Sequence, residues 1–297
     1  MLLVTGAGGY LGHFVTRELS RNGIQFRGMI RPSDEGAFPF PTVVGELGDP
    51  ESLRKACEGS TGIIHLACTL SSDPLTVLDV DVKGTLSLLE EWGSGPFILA
   101  SSMDVYPMGP SPLMEEAAPE PTTWYGLGKV ICEQQVRLNA SAGQKPHLIF
   151  RIPRIVGVHE RVGSSLFGRM AIEVLRGTDI VVPDLHTGCS WVSAVELARA
   201  ITLALMEPHS GVYNISNGWV SWHDAARTMI DRSGSTSRIK ITDESKPFQR
   251  MGRALDCQKL LVTYGFSPHA TFEGEMSDLM SFLVSQERNS SGQGGNP

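Results

Sequence analysis

Short apolar runs alternate with amphipathic stretches through the first 155 residues. Residues 1–5 predict a strand. Residues 11–21 predict a helix that puts Leu11, Phe14, Val15 and Leu19 on one face. Residues 24–31 and 42–45 read as short strands, and Asp49-Pro50 opens a helix over 51–58. Residues 62–67, apolar apart from His65, have the composition of a buried parallel strand. A helix over 77–92, a strand over 97–101, a helix over 124–140 and a strand over 147–152 follow. This alternation predicts an α/β fold, a doubly wound parallel sheet with helices on both faces.

After Pro153 the pattern changes. Residues 154–190 are rich in Gly and Arg and hold one predicted helix, near 166–175. A helix over 195–206 and a strand over 212–215 return to the sheet; residues 217–285 read as helical with loops. The division expected is a nucleotide-binding domain of residues 1–160 plus 191–215, and a smaller lobe of 161–190 plus 216–285. A disordered, polar and glycine-rich tail of 286–297 is expected to follow. Open α/β sheets bind ligands at the carboxyl ends of their strands, so the lobe should cover that edge.

Between the first strand and the first helix stands Thr5-Gly6-Ala7-Gly8-Gly9-Tyr10-Leu11-Gly12. Gly6, Gly9 and Gly12 are spaced G-x-x-G-x-x-G. Glycine triplets also occur in plain turns, and position decides the reading. Here a tight turn, a close backbone approach to a pyrophosphate and close helix packing are all needed, as in a Rossmann dinucleotide site. The second strand ends Ile30-Arg31-Pro32, without the acid that commonly holds an NAD ribose. Arg31 suits a 2′-phosphate, and Asp34 comes late in the turn. NADP(H) is therefore favoured, with NAD(H) possible.

Tyr125 and Lys129 are four apart on a predicted helix and share a face. A neighbouring ammonium favours the phenolate, so Tyr125 is expected to exchange protons near neutral pH. Ser102 follows a strand and would reach the same oxygen. A Y-x-x-x-K pair or a strand-end serine alone means little; their order after the glycine loop gives them weight.

In that order, these residues resemble the extended short-chain dehydrogenase/reductase family, the epimerases, dehydratases and related reductases. Gly48 to Leu53, Ile64 to Ala67, Val82 to Thr85, Ser101 to Tyr106, Arg151 to Pro153 and Tyr213 to Ile215 extend the resemblance. It implies Ser102, Tyr125 and Lys129 as catalytic residues. It places Gly6, Gly9, Tyr10, Leu11 and Gly12 along the pyrophosphate. Glu46 and Leu47 would lie by the adenine, Leu66 and Ala67 by the ribose, and Pro153 by the nicotinamide. The departures concern substrate. Sugar 4,6-dehydratases carry Asp-Glu where this chain has Met103-Asp104, and Met103 cannot donate a proton. Nucleotide-sugar enzymes tend to carry Arg at the position of Cys189; Arg154, Arg161 or Arg169 could stand in. Candidate substrate contacts are Met103, Asp104, Arg154, Arg161 and Trp191; for Trp191 the competing reading, core packing, is preferred.

Composition narrows the partners. The net charge of −7 and the lack of a basic block argue against nucleic acid and anionic membranes. No membrane span is visible, and the five cysteines form no CxxC pair, which fits reduced thiols and a cytoplasmic setting with no metal site. The activity expected is an NADP(H)-dependent oxidoreductase reducing a ketone, or oxidising the matching alcohol, on a small-molecule or sugar-like substrate. The alternatives are a nucleotide-sugar epimerase with tightly bound NAD and, behind it, a non-catalytic NADP-binding sensor. A homodimer paired through the helices over 77–92 and 124–140 is the oligomer that the resemblance implies.

Overall fold

In the computed structural model every strand of the large sheet runs parallel to its neighbours, in the order 211–214, 147–152, 97–102, 62–65, 2–5, 26–30 and 42–44. The structure describes residues 1–34, 38–109, 112–243 and 251–292. The first half runs β1 (Leu2–Thr5), α1 (Tyr10–Arg21), β2 (Phe26–Ile30), β3 (Thr42–Val44), α2 (Pro50–Cys57) and β4 (Gly62–His65). A one-turn helix α3 (Pro74–Thr76) leads through a π-helix (Val77–Val82) into α4 (Lys83–Glu90). Next come β5 (Phe97–Ser102), α5 (Trp124–Gly143) and β6 (His147–Ile152). The second half runs β7 (Arg154–Val156), α6 (Leu166–Leu175), β8 (Ile180–Val182), β9 (Thr187–Ser193), α7 (Ala194–Met206) and β10 (Gly211–Asn214). It ends with β11 (Gly218–Ser221), α8 (Trp222–Ser233), β12 (Ile239–Ile241), β13 (Met251–Arg253), α9 (Gln258–Tyr264) and α10 (Phe272–Gly292).

Strand alternation decides which helices cover which face. Leu2, Val4, Ile64, Ile98 and Leu148 pack with Phe14, Val15 and Leu19 of α1 and Leu197 and Ile201 of α7. Their neighbours Leu3, Ile63, Phe97, Leu99 and Ile149 point the other way, onto Leu53 of α2, Leu88 and Leu89 of α4, and Val136 of α5. Both faces are therefore buried, which explains why these strands read as unbroken apolar runs. The order of strands reverses between β1 and β4, so a crevice opens there at the carboxyl ends.

The lobe has its own core, of Phe167, Val174, Trp191, Met229, Phe272 and Met276 among others. Three features differ from the sequence expectation. First, a second sheet joins β7, β9, β11 and β13, and a ribbon joins β8 and β12, where only helix and loop were expected. Most of these strands have three or four residues, too few to show a period. Second, the boundaries expected at 160 and 191 do not follow this sheet: β7 lies before the first and β9 spans the second. Third, α10 continues to Gly292, past residue 286 where disorder was expected to start. A helix nucleated by core-facing Phe272, Met276 and Leu279 propagates at little cost through polar residues. Residues 293–297 of the expected tail lie outside the described residues.

Candidate active site

The glycine loop leaves β1 and enters α1 within four residues. Gly6 has φ +67°, a left-handed conformation, and a Cβ there would stand 2.8 Å from the Ala67 nitrogen. A Cβ on Gly12 would overlap the Gly6 carbonyl oxygen. Gly9 caps α1 with no side-chain hydrogen bond, and the first turn carries no acidic residue. The free amides and the positive helix end therefore face the loop, an arrangement that fits a pyrophosphate. Tyr10 is fixed by a hydrogen bond from its hydroxyl to the Gly157 carbonyl, 2.7 Å. Leu66 and Ala67 are half-buried at the end of β4.

At the end of β2, the Arg31 Nη2 and Asp34 Oδ1 are 3.1 Å apart, and the Arg31 backbone N–H donates to Asp34 Oδ2 at 3.1 Å. Asp34 also faces Arg161 at 3.6 Å. Burial opposes its ionisation, but hydrogen bonds from Arg31 hold its carboxyl below the ordinary range. Arg31 itself stays largely in solvent. The Asp34 carboxylate borders the loop, because a Cβ on Gly8 would stand 3.2 Å from Oδ2. Glu46 is exposed and Leu47 buried.

Ser102 ends β5, and Tyr125 and Lys129 lie one turn apart on α5, capped by Thr123. Lys129 is buried and donates from Nζ to the Ala100 carbonyl at 2.9 Å; its Nζ lies 5.7 Å from the Tyr125 ring centre. Burial disfavours the ammonium, yet Cys68, Tyr125, Cys132 and Asp81 together hold its pKa above the usual lysine value. Burial likewise drives the Tyr125 phenol above its ordinary pKa, against the pull of Lys129 and of a hydrogen bond with Ser102. This corrects the expectation of a phenol lowered by Lys129. The attraction is present, but the cost of burying a phenolate exceeds it.

Two buried networks brace these residues. His65 accepts from Thr5 Oγ1 at 2.7 Å through Nδ1. Its Nε2 meets Thr85 Oγ1 at 3.1 Å, and that hydroxyl donates onward to the Asp81 carbonyl. This chain assigns the ring proton to Nε2. Behind β5, Arg151 pairs with Glu133 through two bonds of 3.0 and 2.8 Å; Ser101 also donates to Glu133, at 2.6 Å.

On the lobe side, Asp104 is buried and its N–H donates to Ser102 Oγ at 3.1 Å. Its carboxylate meets Arg253 Nη1 at 2.9 Å and Arg154 at 3.3 and 3.4 Å. Trp191 is buried edge-on against Phe272, and Pro153 is buried at the joint of β6 and β7.

The NAD-dependent epimerase/dehydratase family model matches residues 2–216. The chain belongs to that family. Members are NAD(P)-dependent enzymes, and this chain is an oxidoreductase of that kind. Among curated relatives, Photosystem II assembly factor Ycf39 of Cyanophora paradoxa is 24% identical over 265 residues, 86% of this chain and 75% of that protein. Cinnamoyl-CoA reductase 1 of Petunia hybrida is 28% identical over 159 residues, 45% of this chain and 48% of the reductase. The chain thus spans about half of the reductase in that match. A UDP-glucose 4-epimerase of Thermus thermophilus, solved with NAD, shares the fold at TM-score 0.83 and 20% identity, covering 95% of this chain and 98% of that one.

Within this epimerase/dehydratase frame, Gly6, Gly9, Gly12, Ser102, Tyr125 and Lys129 fall along the carboxyl edge of β1, β4 and β5. Two candidate substrate contacts do not stand there. Met103 and Trp191 are packed in the lobe core, because their apolar bulk is worth more buried than exposed. Arg161 faces Asp34 on the nucleotide side. Arg253 was missed altogether. It lies in a three-residue strand with no periodic signal, and only the register of β13 on β9 sets it opposite Cys189. No cluster of His, Cys, Asp and Glu that could hold a metal occurs among the described residues, and none of their helices is long and apolar enough to cross a membrane.

Proposed function

We propose that this chain is an NADP(H)-dependent dehydrogenase or reductase acting on a secondary alcohol or ketone of a small molecule. The observation that carries the reading is the convergence of Ser102, Tyr125 and Lys129 at the carboxyl end of β5. When bound, the dinucleotide supplies or accepts the hydride. Ser102 orients the substrate oxygen. Tyr125 gives its proton to that oxygen in reduction and takes it back in oxidation. Lys129, held by the Ala100 carbonyl, steadies the charge on the phenolate. Elimination of water is disfavoured, since Met103 is buried and offers no proton.

Arg31 supports NADP(H), because its exposed guanidinium can add a 2′-phosphate to its existing bond with Asp34. One observation favours NAD(H) instead: the Asp34 carboxylate at the glycine loop would accept a bond from a ribose hydroxyl and repel a phosphate. The free thiols suit a cytoplasmic setting. Leu78, Leu86, Leu127 and Leu138 stay exposed on the π-helix, α4 and α5, which supports a homodimer paired through those helices.

Titration of the purified protein with all four dinucleotides tests the cofactor. NADPH should bind more tightly than NADH, Arg31→Ala should remove the preference, and Asp34→Ala should strengthen it. Tight NAD that co-purifies and is indifferent to Arg31→Ala would sink the NADP(H) reading. Catalysis is tested by Tyr125→Phe, which should lower turnover on a ketone or alcohol panel by about 100- to 10,000-fold with cofactor affinity retained. Unchanged turnover would remove Tyr125 from the reaction.

A further inference from the structure

Two guanidiniums converge on one carboxylate next to Ser102, and they are held very differently. β7 and β13 occupy one edge of β9 in succession, with Arg154 opposite Trp191 and Arg253 opposite Cys189. Cys189 and Trp191 are two apart on β9, so both arginines leave the same face of the sheet. Arg253 is buried and has a partner at each nitrogen: Nε donates to the Tyr106 carbonyl at 2.7 Å, Nη1 to Asp104 at 2.9 Å, and Nη2 to Thr122 Oγ1 at 3.2 Å. Arg154 reaches the same carboxylate only at 3.3 and 3.4 Å. Its side chain is 36% exposed, and its buried Nε has no hydrogen-bond partner.

The charges decide what this cluster lacks. Asp104 is shared by both guanidiniums, so the three side chains together carry one excess positive charge, and the looser, half-exposed Arg154 is where it is least compensated. A buried or half-buried unpaired charge is costly until an opposite charge arrives. Arg253 alone ties the turn after β5 to β13, and Arg154 adds only two longer bonds to it from β7. Arg154 adds a planar donor fork whose Nε has no partner and whose side chain is partly open to solvent. Asp104 joins the cluster to the reacting pair through the chain: its N–H donates to Ser102 Oγ at 3.1 Å while its carboxylate meets Arg154.

We infer that Arg154 receives a carboxylate carried by the substrate close to its reacting carbon, and that Arg253 is a positioning residue that holds Asp104. The substrate class is thus an oxo or hydroxy acid with a single negative charge, not a neutral ketone. This rests on Ser102 and Tyr125 being the reacting pair.

Binding, measured by isothermal titration to the full chain saturated with its preferred dinucleotide, separates the two claims. The probes are 3-oxobutanoate, 3-oxohexanoate and 3-oxo-5-phenylpentanoate, each beside its methyl ester, and inorganic pyrophosphate. At least one acid should bind about ten-fold more tightly than its ester, the worth of one charge-assisted contact. Arg154→Ala should abolish that preference, and Arg154→Lys should keep part of it. Tyr125→Phe should leave the acid preference intact even where turnover is lost. An intact acid preference in wild type with no turnover of any acid would therefore damage the catalytic reading and leave the anion site standing. Equal binding of acid and ester at every chain length, including no measurable binding, overturns the inference. So does an acid preference that survives Arg154→Ala. Arg154-dependent binding of pyrophosphate tighter than any acid would overturn the carboxylate and assign the site to a diphosphate.

Discussion

The glycine loop and the arginine cluster are assembled by different means. The loop is one contiguous stretch, Gly6 to Gly12, and its tightest approaches, at Gly6 and Gly12, are set by the loop's own backbone and by the backbone just after β4. The cluster brings together Asp104 from the turn after β5, Arg154 from β7 and Arg253 from β13, the outer two 149 residues apart. The first depends on local backbone geometry and tolerates almost no side chain. The second depends on strand register and on charge balance, so it can change its ligand without disturbing the sheet. The glycine loop is thereby constrained and the arginine cluster adaptable.

The largest expected effect breaks the loop. Gly12→Val drives a side chain into the Gly6 carbonyl and the Ala7 backbone, so dinucleotide binding should be lost outright, with a severe cost in stability. Fluorescence titration measures this; binding that stays near wild type would show that the loop can move aside. The next effect tests the long-range side. Glu133→Ala strips the buried Arg151 of its partner, and removing one member of such a pair costs about 3–5 kcal/mol. Urea unfolding should show that loss. Arg151 also holds the Tyr106 hydroxyl at 2.8 Å, and the Tyr106 carbonyl holds Arg253, so acid binding should weaken more than dinucleotide binding. Equal losses on both sides would contradict the separation drawn above.

The smallest effect is a pH dependence centred on His65. Burial, then Lys129, push its pKa from 6.5 down to about 3 in the folded chain. The unfolded chain takes up a proton below about pH 6.5, while the folded chain does not. The stabilisation is complete above that pH. It falls as pH drops toward 3, at up to about 1.4 kcal/mol per pH unit. Denaturant midpoints between pH 7 and 5 should decline accordingly, and His65→Gln should flatten the decline. A slope untouched by His65→Gln would place the acid sensitivity in another group.

Much of the sheet was legible because buried parallel strands are continuous apolar runs and their helices repeat every three to four residues. The helix over 77–92 was legible too, but not its π-turn. That turn places the Asp81 carboxylate on Thr69 N–H and Oγ1, both at 2.8 Å. Asp34 was visible as a residue but not its place in space: the turn after β2 folds its carboxylate back against Gly8. Tyr125 was found correctly on its helix, while its pKa was not, since burial depends on everything packed around it.

The sequence by itself determined the alternating α/β architecture, the glycine turn and the one-turn pairing of Tyr125 with Lys129, because each is written in spacings of a few residues. The tertiary structure alone decided that Met103 serves the core, that Asp34 answers Arg31, and that Arg253 meets Asp104 beside Arg154. Those outcomes rest on strand register and on the balance of burial against charge, and both are sums over residues far apart in the chain.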